Sequence, residues 1–228
     1  PYQRKHFEFL MAKQVDAIIE IGSSYGDAND LEVYREVSEQ VPLIILNGFV
    51  DVPTVYSIRC DERSAICNLV EELYERNCRH IYYLEDNTTF CAVEKRNGFL
   101  EGVNKCNLKA TSKCITIPIY SNEILDAQQK IERLIRNGRR IDAILSADDL
   151  LAVGALQALN AAGLGIPVVG FNNSDFAFAC TPRLTTVDNQ REFLCTNAIN
   201  TLMSLLDGKD AAHHIIVSPK LIEGETFK

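Results

Sequence analysis

The chain has no tryptophan, no apolar run long enough to cross a bilayer and no surplus of positive charge. Each absence excludes something. A membrane-spanning helix needs roughly 20 predominantly apolar residues, so no membrane partner is expected. Formal net charge is −8, which makes most of the surface repel nucleic-acid phosphate. "RNGRR" (136–140) is the one tight basic cluster and reads as a solvated helix end. If the protein acts on DNA, a segment outside this chain has to make the contact. The opening "PYQRKHFEFLMAKQ" is too polar for a signal-peptide core. With Phe7, Leu10 and Met11 on one face it reads as the inside of an amphipathic helix, so a natural chain that begins earlier is expected.

Several chemistries are missing as well. No G-x-G-x-x-G or G-x-x-x-x-G-K-S/T loop is present for nucleotide phosphates, and no G-x-S-x-G elbow for a nucleophilic serine. "IGSSYG" (21–26) is the nearest approach to a glycine loop. The four histidines stand at 6, 80, 213 and 214. His80 precedes a strand and the 213–214 pair is expected in a turn, in structural rather than catalytic roles. Eight cysteines form no C-x-x-C pair and have no histidine at metal-ligand spacing, which argues against zinc. They are expected as free thiols in a reducing cytoplasm. Neither a cofactor nor a catalytic residue is indicated.

What is present is an alternation of short apolar runs with helical patterns. The runs are 15–22, 42–48, 80–86, 114–120, 141–147 and 167–173. They are continuous rather than alternating, as parallel strands covered on both faces should be. Helical spacing recurs over 61–77, where Asp61 stands at the N-cap position, and over 121–138, between Ser121 and the stop at Gly138. This is an α/β fold with parallel sheets and right-handed crossovers. Ligands in such folds sit outside the carboxyl ends of the strands. Those positions hold Ser23, Ser24 and Tyr25; Asn47; Asp61; Asp86, Asn87 and Phe90; Tyr120; Asp148 and Asp149; and Asn172 and Asn173. The adjacent carboxylates at 148 and 149 admit two readings. They could share a hard cation with Asp61 and Asp86 in a magnesium-dependent phosphotransfer enzyme. More simply, one caps the following helix while the other faces a ligand.

Taken in order, "VDAIIEIGSS" (15–24), "VPLIIL" (41–46), "KRNGF" (95–99), "ILSADDLLAVGALQALNAAGLGIP" (144–167), "VVGFNN" (168–173), "PRLTTVDNQ" (182–190) and "SPKLIEGET" (218–226) resemble the effector-binding region of the lac repressor family. That family shares its fold with periplasmic sugar-binding proteins. The resemblance implies two similar lobes, each a parallel sheet flanked by helices, joined by three crossover strands. Residues 1–77 and 190–216 would form the N-terminal lobe, and 78–189 with 217–228 the C-terminal one. A small molecule, a sugar or related polyol, would lie between the lobes. The regulator would be a cytoplasmic homodimer that reaches DNA through an N-terminal helix-turn-helix head not in this chain.

The resemblance also assigns residues. Asp148 matches a ligand-facing position and Asp149 a helix-opening one. Asn172, Asn189, Asp61 and Tyr120 match further ligand positions, and Phe90 and Ser23 join them at strand ends. Lys95 stands where the family carries a ligand-gripping arginine, a replacement that removes the planar fork. The loop in "GLGIPVVGFNN" is several residues shorter than usual. A solute-binding protein of a sugar transport system is the alternative on the same fold.

Overall fold

Continuous apolar runs do become parallel strands in both halves of the chain. The computed structural model describes residues 2–22, 28–85, 89–117 and 123–227. Ser23 and Tyr120 therefore lie outside the described residues, as do Ser24, Tyr25, Asp86, Asn87 and the expected cap Ser121. Residues Pro1–Cys60, Thr88–Cys91 and Gln190–Ser218 form a first unit, and Asp61–Asn87, Ala92–Asn189 and Pro219–Lys228 a second.

The first unit contains β1 (Ile18–Ile21), β2 (Leu43–Leu46), β3 (Tyr56–Cys60) and β9 (His214–Val217), ordered β1-β2-β3-β9 and all parallel. Strand β2 shows why a continuous run is required. Leu43 and Ile45 pack into one cluster with Phe7, Val33 and Tyr34, from helices α1 (Tyr2–Ala12) and α2 (Ala28–Ser38). Ile44 and Leu46 face the other way and pack with Ile58, Leu194 and Ala198, the last two from α8 (Arg191–Leu206). Successive side chains point to opposite faces, so a strand covered on both sides needs an apolar residue at every position.

The second unit is larger. Its sheet runs β10-β8-β7-β6-β4-β5. The members are β4 (Ile81–Glu85), β5 (Lys113–Thr116), β6 (Ala143–Ser146), β7 (Val168–Phe171), β8 (Thr185–Asp188) and β10 (Lys220–Ile222). All neighbours pair in parallel except β10, which returns antiparallel to β8. The flanking helices are α3 (Glu62–Glu75), α4 (Phe90–Lys105), α5 (Glu123–Arg136), α6 (Asp149–Ala161) and the short α7 (Asp175–Ala179).

Four strands were not expected: β3, β8, β9 and β10. Strand β9 includes His214, whose Nδ1 lies 2.9 Å from Ser57 Oγ, while His213 stacks on Tyr56. The expected turn at 213–214 is thus a strand start, and both rings are structural.

Helix α3 also differs from expectation, which placed 61–77 with the first lobe. Ile66, Leu69, Val70 and Leu73 pack into the second unit's core beside Phe99 and Val103 of α4. The two helices approach so closely that a Cβ at Gly98 would collide with the Arg63 carbonyl. That explains the glycine in "KRNGF".

At the opposite edge of the second sheet, Asp142 ties β4 to β6. Its Oδ2 accepts from the amides of Arg79 and His80 at 2.8 and 3.0 Å, and its Oδ1 from Arg140 Nε at 2.9 Å. Burial pushes its pKa up, but the Arg140 guanidinium and the two amides outweigh this and hold it below the usual 3.8. A depressed carboxylate adds stability above its unfolded pKa that is lost as pH falls through the folded one. Asp142→Ala should therefore lower stability at neutral pH and flatten its decline below about pH 3.8, measured by urea unfolding across the acid range. A variant with the wild-type acid limb would contradict this.

Candidate functional site

In a parallel sheet the carboxyl ends of all strands share one edge. Strands β6, β7 and β8 are neighbours, so the residues that follow them stand in a row. These are Ala147 and Asp148 after β6, Asn172 and Asn173 after β7, and Asn189 after β8. Asn189 Nδ2 donates to Asn172 Oδ1 at 3.4 Å, which links two of the expected ligand positions directly. Asn172 and Asn173 turn the chain with φ of 96° and 48°, a region asparagine tolerates better than most residues.

Several acceptors on this edge are enclosed without a donor. Asn173 Oδ1, Asn189 Oδ1 and Ser146 Oγ are buried and make no hydrogen bond. Buried polar atoms in native proteins are nearly always paired, so such a group of exceptions calls for an explanation.

The cap falls to Asp148 rather than to Asp149, which opens the helix as expected but is turned inward. Asp148 is the helix cap: it is extended (φ −151°, ψ 176°) and its Oδ1 accepts from Leu151 N at 2.9 Å. An N-cap carboxylate reaches the amide three residues on, and only position 148 stands at that distance from the first free amide. Asp149 is the first helical residue and is fully buried. It accepts from Ser174 N (2.7 Å), Ser174 Oγ (2.8 Å) and Thr186 Oγ1 (2.5 Å). Burial raises its pKa, against the lowering effect of Thr186 and Ser174.

Lys95 of α4 is buried as well. Its Nζ donates to Ala147 O at 2.7 Å, lies 3.9 Å from Glu62 Oε2 and sits 4.5 Å from the centroid of the Phe171 ring. The ammonium thus fastens α4 to the ends of β6 and β7. Arg96 turns away to Glu85, 3.5 Å distant at the end of β4. Asp61 caps α3, its Oδ1 accepting from Ser64 N at 3.1 Å. Phe90 falls in the first unit, with its ring 6.0 Å from that of Phe49. The structure therefore aligns Asp148, Asn172 and Asn189 and places Lys95 beneath them, while Phe90 belongs to the first unit.

Sequence reasoning passed over Ser146, which lies inside the apolar run of β6, and the buried role of Asp149. The edge as a whole is a set of acceptors suited to hydroxyl donors. Among the described residues no three His, Cys, Asp or Glu side chains are grouped to hold a metal ion, and all eight cysteines are free thiols.

A family model for the periplasmic binding protein-like domain matches residues 70–227. The chain belongs to this family. It is 30% identical over 230 residues to an HTH-type transcriptional regulator of Lachnoclostridium phytofermentans, covering 98% of the chain and 68% of that protein. Among solved structures, the lac repressor dimer bound to operator and the anti-inducer ONPF superposes with a TM-score of 0.84 at 20% identity, over 98% of this chain and 78% of that one. A periplasmic binding protein/LacI regulator from Alkaliphilus metalliredigens QYMF, complexed with D-xylulofuranose, gives 0.79 at 22% identity, over 99% and 83%. Within the periplasmic binding protein-like family the chain thus stands among the transcriptional regulators, as the resemblance to the lac repressor family implied.

The separation of cap from ligand contact at Asp148 is testable by stability alone. Asparagine caps as well as aspartate, whereas alanine does not. Asp148→Ala should cost about 1 kcal/mol in urea unfolding, and Asp148→Asn only a few tenths. Equal losses in both variants would argue against the cap.

Proposed function

We propose that this chain is the ligand-sensing part of a bacterial transcriptional regulator. It takes a sugar or related polyol at the strand ends of the second unit. The observation that carries the ligand class is the row of enclosed acceptors, Ser146 Oγ, Asn173 Oδ1 and Asn189 Oδ1, beside Asp148 and Asn172. Sugar hydroxyls supply the donors such a row lacks, and each hydroxyl can accept in return from Asn189 or Asn172 Nδ2. The regulators among the relatives support sensing over transport, and nothing in the acceptor row supplies a nucleophile beside a base. A solved relative complexed with D-xylulofuranose supports the ligand class, and one bound as a dimer to operator supports a homodimer with a DNA-binding head. A cytoplasmic location follows from that role.

The mechanism is thermodynamic. A ligand biases two arrangements of the protein only by its differential affinity for them, and it changes DNA affinity by the same factor by which DNA changes ligand affinity. Asn189 and Asn172 are the residues through which strand ends would feel ligand hydroxyls.

The test is a thermal-shift screen of neutral pentoses, hexoses and disaccharides, followed by calorimetric titration of the best. The expected result is at least one stabilising sugar whose affinity falls about tenfold or more in Asn189→Ala, the loss of one or two hydrogen bonds to a buried partner. Sugar affinity that is unchanged in both Asn189→Ala and Asn172→Ala would overturn the placement of the ligand.

A further inference from the structure

The basic cluster in "RNGRR" (136–140) has no part in the sugar site, and the fold places it with other cations. Strands β5, β4 and β6 are parallel neighbours, so their amino ends share the edge opposite to Asp148 and Asn172. Arg79 precedes β4, Arg139 and Arg140 precede β6, and Lys113 opens β5. Hydrogen bonds gather these starts into one corner. Asp142 ties the start of β6 to the Arg79 amide and to Arg140, and Thr111 Oγ1, just before β5, donates to the Arg79 carbonyl. Helices α3 and α5 end at the same edge, α3 in its cap Arg76 and α5 in Arg136. The chain has 31 acidic residues against 23 basic ones, so its average composition does not predict such a corner.

Two of the guanidiniums are held flat. Arg79 lies 3.9 Å from the Tyr74 ring centroid, and its Nη1 donates to the Tyr74 and Cys78 carbonyls at 2.7 and 3.0 Å. Arg76 lies 4.1 Å from the Phe227 centroid, while its Nη2 meets Glu72 Oε1 at 2.6 Å. An arginine fixed in this way has little rotamer freedom left to lose on binding, and its unused donors keep their fork geometry. Helix C-termini attract cations, which accounts for Arg76 and Arg136. It does not account for Lys113, which opens a strand, or for the stacking of Arg79. Lys113 and Arg139 are exposed and pair with no carboxylate among the described residues. The carboxylates of this corner are Glu72, taken by Arg76, Asp142, taken by Arg140 and two amides, and Glu75 at the end of α3.

We propose that this edge is a docking surface for an acidic peptide segment of another protein. Guanidinium forks take carboxylates through paired hydrogen bonds, and arginine beside aromatic rings is the composition of the residues that contribute most to protein interfaces. The mixture of signs favours a polypeptide over nucleic acid. A phosphate backbone needs a track of cations clear of carboxylates, and Glu72, Glu75 and Asp142 interrupt the track here. A peptide turns its own amides toward those carboxylates while its Asp and Glu side chains meet Arg79, Arg139 and Arg140. The surface lies at the opposite ends of the strands from the row of acceptors, so it does not depend on the sugar reading and leaves that site free.

The test is fluorescence anisotropy of two labelled probes against the whole chain, hexaglutamate and a six-nucleotide oligothymidylate, at about 20 mM salt, where exposed charges are weakly screened. Hexaglutamate should bind, and more tightly than the oligonucleotide. Its affinity should fall about tenfold or more when Arg79→Gln and Arg139→Gln are combined. Arg139→Gln alone, at an exposed position, should show a smaller loss and guards against a variant that folds poorly. Arg79→Lys keeps the charge but not the fork, so it should weaken binding as well. Arg4→Gln with Lys209→Gln removes the same charge from the first unit and should leave the affinity as it was. Four results would each overturn the proposal: no binding of hexaglutamate, equal affinity in wild type and the Arg79–Arg139 double variant, an equal loss in the Arg4–Lys209 control, or an oligonucleotide bound as tightly as the peptide.

Discussion

The buried carboxylate of Asp149 is the interaction on which the carboxyl edge of the second unit's sheet depends. It sits at the start of α6 and takes three hydrogen bonds, two from Ser174 after β7 and one from Thr186 in β8. One group thereby fixes the start of a helix against two strands. A Cβ at Gly170 would collide with its Oδ1, so the glycine in "VVGF" is part of the same clamp. Placing an ionised carboxylate here is costly, as its raised pKa indicates. Hydrogen bonds from two hydroxyls and an amide offset that cost in a way no apolar residue could combine with register. Thr186 Oγ1 also accepts from Asn173 N at 3.2 Å, which carries the constraint into the turn that presents Asn172 and Asn173.

Around this clamp the polar groups divide into those that build the edge and those left open on it. Asp148 caps, Asp149 clamps and Lys95 fastens α4 to the Ala147 carbonyl. The oxygens of Ser146, Asn173 and Asn189 are buried without a partner.

Much of this was legible in the sequence where burial acts on every residue. The runs at 42–48, 80–86, 141–147 and 167–173 became β2, β4, β6 and β7 because strands covered on both faces leave no room for polar residues. Strands β3 and β8 were missed because "YSIRC" and "TTVD" carry polar groups with tertiary partners, such as Thr186 with Asp149, that a periodicity cannot reveal. The row of Asp148, Asn172 and Asn189 was legible because strand ends are predictable positions. The division of labour between Asp148 and Asp149 was not, although the three-residue reach of a cap pointed to 148. The place of 61–77 was hidden for another reason. The apolar stripe of α3 states that it packs, and only the approach of α4 at Gly98 states against what.

The central claim, that the Asp149 clamp holds the Asn172–Asn173 turn in place, is tested most directly by native-state amide hydrogen exchange on Thr186→Val. This change removes one donor to Asp149 and the acceptor for Asn173 N while keeping the shape of the side chain. The account predicts faster exchange at the amides of Asn173 and Ser174, with those of β1 and β2 in the first unit unchanged. Unaltered protection at Asn173 and Ser174 would contradict it.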